Sequence, residues 1–247
     1  MDTRRRTLLL GLPAAAALAA AGGAPARADL ANTTDLALHC DTTLGPALRT
    51  VAAAYAARNG VNVNIFPTAP GLLLPQLQRE VQNDVLVTQL PIMQRAAQAG
   101  IVAPDTPLKP WRDRLVIAGL RDAPAVTPDT PVAVTDPSPA ADMDSEMILL
   151  RMNLHSTPAL GAIDTSGVAF LLTSGAARAG LLHMTDVRAD PRLAVLQPVP
   201  DEFAPPLLYA AAVTKLSWRR NPAAFVAFLN GSEATALLAA SGLEKAS

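Results

Sequence analysis

The sequence predicts an α/β protein built as two lobes, each a mainly parallel sheet flanked by helices. Two observations support this prediction. Residues 36–100 alternate strand-like and helix-like runs three times, which is typical of a parallel sheet with covering helices. Linker-like segments near residues 120–131 and 198–206 then indicate a chain that leaves one lobe, builds a second and returns. The cleft between two such lobes is a common ligand site.

The opening unit, residues 36–66, is predicted to form a strand, a polar turn, a helix and a second strand. Thr43 is expected to cap the helix, whose apolar residues recur at helical spacing until Gly60 ends it. A helix that begins where a parallel strand ends is where open α/β sheets bind ligands, especially anions. The turn containing Asp41 and Thr43 is therefore a candidate ligand site. The alternative is an ordinary βαβ unit without a ligand.

The same signals predict the remaining elements and their division into lobes. Further helices are expected at residues 73–81, 91–98, 141–152, 165–173, 222–229 and 232–240. Further strands are expected at residues 84–88, 114–119, 132–135, 180–182, 193–196 and 207–213. Residues 29–119 and 207–247 would form the first lobe, and residues 120–206 the second.

Composition excludes some classes of protein. The 247 residues carry a net charge of −1, so no basic excess indicates nucleic-acid binding. Cys40 is the only cysteine, so no disulfide can form within the chain. Half of the residues are hydrophobic, which is enough for a sizeable core.

The N-terminus has the layout of an export signal. Arg4, Arg5 and Arg6 precede an apolar run, and the segment ends Ala-Arg-Ala at residues 26–28, which predicts cleavage after Ala28. The start resembles a twin-arginine signal, with a general secretory signal as the alternative because Thr7 stands where phenylalanine is usual. The apolar run is shorter than the roughly 20 residues that a membrane span needs. We therefore expect a soluble, periplasmic mature protein.

Several short motifs, taken in order over residues 36–243, resemble the periplasmic molybdate-binding proteins, the solute receptors of molybdate ABC transporters. The matching motifs are Thr43-Leu44, Gly60-Val61-Asn62-Val63, Asp84-Val85, Asp136-Pro137, Gly180-Leu181-Leu182-His183 with Thr185-Asp186, and Leu208-Tyr209. The resemblance implies the type II periplasmic binding fold, an oxyanion of the molybdate or tungstate kind as ligand, and a membrane ABC permease as partner. We expect a monomer.

The resemblance also implies a ligand site made of neutral donors, since a dianion without a counter-cation needs hydroxyl and N–H groups. The implied ligand residues are Thr43, Ala140, Thr165 and His183, with Thr68 and the N–H groups of Gly71 and Leu72 as substitutes for the family's ligand serine. Pro70 stands where the family has a ligand serine and offers neither a hydroxyl nor an N–H. His183 replaces a tyrosine, and the Asp41 carboxylate would oppose a nearby anion.

These departures leave two alternatives open. The same fold could bind an organic molecule or a metal ion through Asp41 and His183, or the chain could be an accessory protein with a degenerate cleft. The three histidines lack metal-ligand spacing, so no metal or cofactor is expected. Hydrolase, P-loop and zinc-protease motifs are missing from the sequence, so we do not expect an enzyme.

Overall fold

Two β-sheets, each covered by helices, organise the protein. The computed structural model describes residues 35–79, 83–103, 108–136, 144–159, 161–215, 217 and 221–246, and the structural statements below concern these residues. The predicted signal peptide, residues 1–28, and the predicted ligand residue Ala140 lie outside them.

The elements follow one another in α/β order. The strands are β1 (Leu36–Asp41), β2 (Val63–Thr68), β3 (Val85–Gln89), β4 (Trp111–Asp113), β5 (Leu115–Leu120), β6 (Pro131–Thr135), β7 (His155–Ala159), β8 (Ala179–His183), β9 (Leu193–Pro198), β10 (Leu207–Val213) and β11 (Glu244–Lys245). The helices are α1 (Gly45–Asn59), α2 (Pro70–Leu77), α3 (Leu90–Gln98), α4 (Ser145–Arg151), α5 (Thr165–Thr173), α6 (Met184–Ala189), α7 (Pro222–Leu229) and α8 (Ser232–Ala240). A short 3-10 turn, Thr42–Leu44, joins β1 to α1.

Both sheets are mixed. The first has six strands in the order β11-β4-β10-β3-β1-β2, with β1 parallel to β2 and β3 and β10 antiparallel to β3 and β4. The second has five strands in the order β7-β6-β8-β5-β9, with β5 antiparallel to both neighbours. The predicted α/β fold with two sheets is confirmed. The sheets are less parallel than predicted because the strand that follows each crossing, β5 in the second sheet and β10 in the first, runs antiparallel to its neighbours.

The chain crosses between the sheets at two places. Arg114 alone separates β4 of the six-stranded sheet from β5 of the five-stranded sheet, and residues 199–206 connect β9 back to β10. Each sheet packs against its own helices through separate apolar clusters. The division into lobes stays a prediction, but β5, which it assigned to the first lobe, pairs in the second sheet. Residues 34–247 together form one compact unit.

Helix α1 shows how the sequence pattern builds the first sheet's core. Leu48, Val51 and Tyr55 are buried on one face of the helix, and each such side chain contributes roughly 1.5–3 kcal/mol by leaving water. The ring of Tyr55 lies edge-on to that of Phe225 on α7, with centroids 5.0 Å apart. Gly60 ends the helix as predicted, at φ 66°, and its N–H donates to the Ala56 carbonyl.

Some predicted boundaries were wrong. Helix α2 begins at Pro70 rather than at residue 73, so Pro75 lies inside the helix and not in its first turn. Helix α4 begins at Ser145, because the Asp144 carboxylate accepts from the N–H of Met147 and caps it there. Strands β4, β7 and β11 and helix α6 were missed; they are short and carry many polar residues.

Within the part of the chain described here, no single helix is long and apolar enough to cross a membrane. The bent pair α7 and α8, which meet at 61°, passes that test only when counted together, by length and composition.

Candidate functional site

A chain of four polar side chains joins the two sheets, and we call it the junction network: Asp113, Thr185, Thr43 and Asp186. The Thr43 hydroxyl donates to Oδ1 of Asp186 over 2.8 Å and lies 2.9 Å from the hydroxyl of Thr185. The Thr185 hydroxyl donates to Oδ2 of Asp113 over 2.6 Å. All four side chains are buried. The network therefore alternates between the sheets, since Asp113 and Thr43 belong with the first and Thr185 and Asp186 with the second.

Each member lies at the end of a strand or within three residues after it. Thr43 lies in the 3-10 turn after β1, and Asp113 is the last residue of β4. Asp186 lies in the first turn of α6, where its Oδ2 accepts from the backbone N–H of His183, the last residue of β8. An acidic residue three positions after a helix cap is a recognised start signal. That spacing could have revealed α6 in the sequence, but the partners in the other sheet could not be read from it.

Thr43 is not the helix cap that the sequence predicted. The 3-10 turn precedes α1, and neither the residue before the turn nor the residue before α1 caps it with a side chain. The Thr43 hydroxyl is instead turned towards α6. The predicted ligand residues Thr43 and His183 thus lie beside the same carboxylate, that of Asp186.

Asp113 is the member of the network whose pKa its surroundings change most clearly. Its side chain is fully buried, and burial raises its pKa to about 6, with the nearby Asp186 carboxylate adding to the rise. The His183 ring, whose Nδ1 is 3.9 Å from Oδ2 of Asp113, lowers the pKa, as do the hydroxyl of Thr185 and the backbone of Arg114. Asp113 can therefore change its charge near neutral pH.

Asp41 and Thr68 lie side by side at the ends of β1 and β2, where the register pairs them. The Asp41 carboxylate is fully buried and accepts hydrogen bonds from the hydroxyl of Thr88, over 2.6 Å, and from the backbone N–H of Gln89, over 3.3 Å. It therefore ties β1 to the end of β3. The Thr68 hydroxyl donates to Oε1 of Gln76 over 2.7 Å.

The start of α2 follows directly after Thr68. Gly71 is exposed in the first turn of this helix. The neighbouring N–H of Leu72 donates to the Ala69 carbonyl, so this predicted donor is already used within the turn.

At the start of α5, Thr165 was predicted to be the cap because a threonine opens the helical run, and this prediction was wrong. Asp164, not Thr165, caps this helix, and its Oδ1 accepts from the N–H groups of Ser166 and Gly167 over 3.1 and 3.2 Å. Thr165 is buried as the first helical residue. The Asp164 carboxylate thus already binds two backbone N–H groups, those of Ser166 and Gly167, at a helix start where the sequence predicted that an anion would bind.

The structure offers little support for a site elsewhere. Among the residues with described positions, no three His, Cys, Asp or Glu side chains are grouped so as to hold a metal ion. A pocket of about 430 Å³ lies between α4 and β7, but it contains none of the junction residues. The junction network is the better candidate because it contains the predicted ligand residue Thr43, lies beside a second, His183, and includes the carboxylate of Asp113, whose pKa burial raises.

The fold and this junction define an α/β protein of two sheets that meet around buried polar side chains. A family model described as "bacterial extracellular solute-binding protein" matches residues 36–244. The chain belongs to that family.

Solved structures share the fold at low sequence identity. The periplasmic molybdate-binding protein of Azotobacter vinelandii has a TM-score of 0.70 at 16% identity, covering 86% of this chain and 100% of that one. The sulfate-binding protein SubI of Mycobacterium tuberculosis has a TM-score of 0.66 at 17% identity, covering 85% and 86%. A Clostridium perfringens protein with bound phosphate has a TM-score of 0.58 at 13% identity, covering 86% and 100%. Among curated proteins, no sequence matches.

Proposed function

We propose that this chain is the exported solute receptor of an ABC transporter, which binds a small oxyanion in a cleft between the two sheets. It would work in the periplasm as a carrier, not as an enzyme, and deliver its solute to a membrane permease. The observation that carries the proposal is the meeting of Thr43 with Thr185 and Asp186 across the two sheets. A solute held at this place touches both halves, so its binding favours the closed arrangement.

The carboxylates at this place restrict which oxyanion can bind. A dianion about 5 Å from one carboxylate is opposed by roughly 7 kcal/mol at an effective dielectric constant near 20. That is close to the roughly 8 kcal/mol of a micromolar complex. Molybdate, tungstate and sulfate carry no proton at neutral pH with which to relieve this repulsion.

Hydrogen phosphate has the same size and charge as sulfate but carries a proton. It can donate that proton to a carboxylate such as Asp186 while it accepts the hydroxyl proton of Thr43, which Asp186 accepts in the structure. We therefore propose a protonated oxyanion of the phosphate class as the solute, ahead of molybdate, tungstate and sulfate.

A second candidate is an organic solute with hydroxyl or ammonium donors. The carboxylate of Asp164 supports it, because that group covers the N–H groups at the start of α5 that an oxyanion would use. Asp186 could accept from the same kind of ligand.

Thermal unfolding of the full chain tests the receptor and its ligand class together. Phosphate at about 100 times its dissociation constant should add about 2.7 kcal/mol of stability, a rise of roughly 5–10 °C in Tm for a chain of this size. Sulfate, molybdate and tungstate at equal ionic strength should add less. Glycerol and putrescine, one neutral and one cationic, represent the second candidate.

Two variants at one position provide the matched control. Thr43→Ser keeps the hydroxyl and should keep the shift in Tm that phosphate produces, whereas Thr43→Val should lose it. A larger shift with molybdate or sulfate than with phosphate would overturn the choice of solute. Equal shifts in the Ser and Val variants would overturn the assignment of Thr43.

A further inference from the structure

The junction network contains more short contacts than its hydroxyl protons can fill. Three oxygen–oxygen contacts run in series from Asp113 through Thr185 and Thr43 to Asp186, at 2.6, 2.9 and 2.8 Å. Each contact of this length requires one proton between its two oxygens. The two threonines supply two protons, and an ionised carboxylate only accepts. With both aspartates ionised, one buried contact would bring two oxygens together without a proton.

We propose that Asp113 and Asp186 share one proton through the two threonine hydroxyls, and that this proton fastens the two sheets together. When Asp113 is ionised, Thr185 donates to it; when Asp113 holds the shared proton, that hydrogen bond reverses, so that Asp113 donates to Thr185, Thr185 to Thr43, and Thr43 to the carboxylate of Asp186. Every contact then holds one proton, and the pair carries one negative charge in place of two. Loss of the proton leaves one contact unfilled and two like charges in the network, so the junction loosens.

The surroundings of Asp113 are consistent with a shared proton. From β8, the His183 ring faces Asp113 with Nδ1 3.9 Å from Oδ2, too far to supply the missing proton by a hydrogen bond. From α6, Asp186 faces it as a second acid, and burial with this neighbour raises the pKa of Asp113 to about 6. The guanidinium of the adjacent Arg114 forms an ion pair with Asp201. The charged groups that face Asp113 are therefore His183 and Asp186.

Only one part of this inference rests on the proposed function, namely the effect of the proton on solute binding. If the chain is a solute receptor, the junction would hold its solute more firmly in a mildly acidic periplasm than in an alkaline one. The shared proton itself is a property of the protein alone, and it can be measured in buffer without phosphate or any other candidate solute. Failure of the proton proposal would therefore be distinct from failure of the receptor proposal.

Carbon NMR of the full chain with labelled aspartate carboxyl groups tests the shared proton. Between pH 4.5 and 8, the Asp113 carboxyl resonance should move with a midpoint near 6, the Asp186 resonance should respond to the change of charge in its network, and Asp113→Asn should abolish both changes. Thr43→Val interrupts the series, so the Asp186 resonance should no longer follow that of Asp113. An Asp113 resonance that titrates below pH 5 with the surface aspartates, or an Asp186 resonance that never follows it, overturns the proposal.

Hydrogen exchange tests the mechanical consequence. After correction for the intrinsic dependence on pH, protection of the amides of residues 183–186 should fall between pH 5.5 and 7.5 in the natural chain. It should stay constant in Asp113→Asn, which is neutral at both values. Exposed Asp122 provides the control variant, Asp122→Asn, which should behave like the natural chain. Unchanged protection in the natural chain overturns the fastening role of the proton.

Discussion

The hydroxyl of Thr43 links the first sheet to the carboxylate of Asp186 in the second. The sequence predicted Thr43 correctly as a residue of the turn after β1, because the apolar run before it and the helical spacing after it fix that position. It could not predict that the hydroxyl turns towards Asp186, which lies 143 positions further along the chain. A local pattern indicates which backbone groups need a cap, but it carries no information on a partner from another sheet.

Thr43→Val should lower the free energy of unfolding by about 2 kcal/mol, because the buried Asp186 carboxylate loses a charge-assisted donor while the side chain keeps its shape. Urea unfolding of the full chain measures the change. Thr43→Ser, which retains the hydroxyl, should recover most of the loss. If the valine variant were as stable as the natural chain, the hydrogen bond to Asp186 would have no energetic role.

The pKa of Asp113 predicts a dependence of stability on pH. Because burial raises this pKa from 3.8 to about 6, the stability that the proton contributes is fully present below pH 3.8 and is lost as pH rises through about 6. The loss relative to Asp113→Asn should reach about 3 kcal/mol, at about 1.4 kcal/mol for each pKa unit. Tm values of both proteins between pH 4 and 7.5 measure it. A constant difference in Tm across this range would contradict the shift in pKa.

At the scale of elements, helices with clear end signals were predicted most accurately. Helices α7 and α8 occupy the predicted residues, since Asn221 and Pro222 mark the first start and Gly242 follows the second end. Strand β4 was missed because its three residues, Trp-Arg-Asp, show neither alternation nor an apolar run. That omission removed Asp113 from the predicted site.

Gly60 gives a direct test of an element end. Its backbone lies at φ 66° with the N–H bound to the Ala56 carbonyl, a conformation that a Cβ disfavours by about 1 kcal/mol or more. Gly60→Ala should therefore lower the free energy of unfolding by about 1 kcal/mol in urea. Gly60→Asn should lose less, because asparagine tolerates this conformation better. Equal losses for the two variants would show that the left-handed backbone is not the cause.

At the scale of the whole molecule, the sequence predicted two α/β halves, and the structure has two mixed sheets with the chain crossing between them twice. Predicted ligand residues Asp41, Thr43 and Thr68 come together at the ends of β1 and β2, since parallel strands end at one edge. The hydroxyls of Thr68 and Thr43 already donate to Gln76 and Asp186. At the start of α5, Asp164 already accepts from the backbone N–H of Ser166. Such contacts depend on side-chain rotamers and on how the halves meet, which no spacing rule provides.

We propose that the chain is a solute receptor whose carboxylates select a protonated oxyanion. Isothermal titration of the full chain with phosphate and with sulfate, at pH 7.5 and equal ionic strength, tests it most directly, because the two ions share size and charge and differ by one proton. We expect saturable binding of one phosphate per chain and at least tenfold weaker binding of sulfate. Sulfate binding as tight as phosphate binding, or no binding of phosphate, would contradict it.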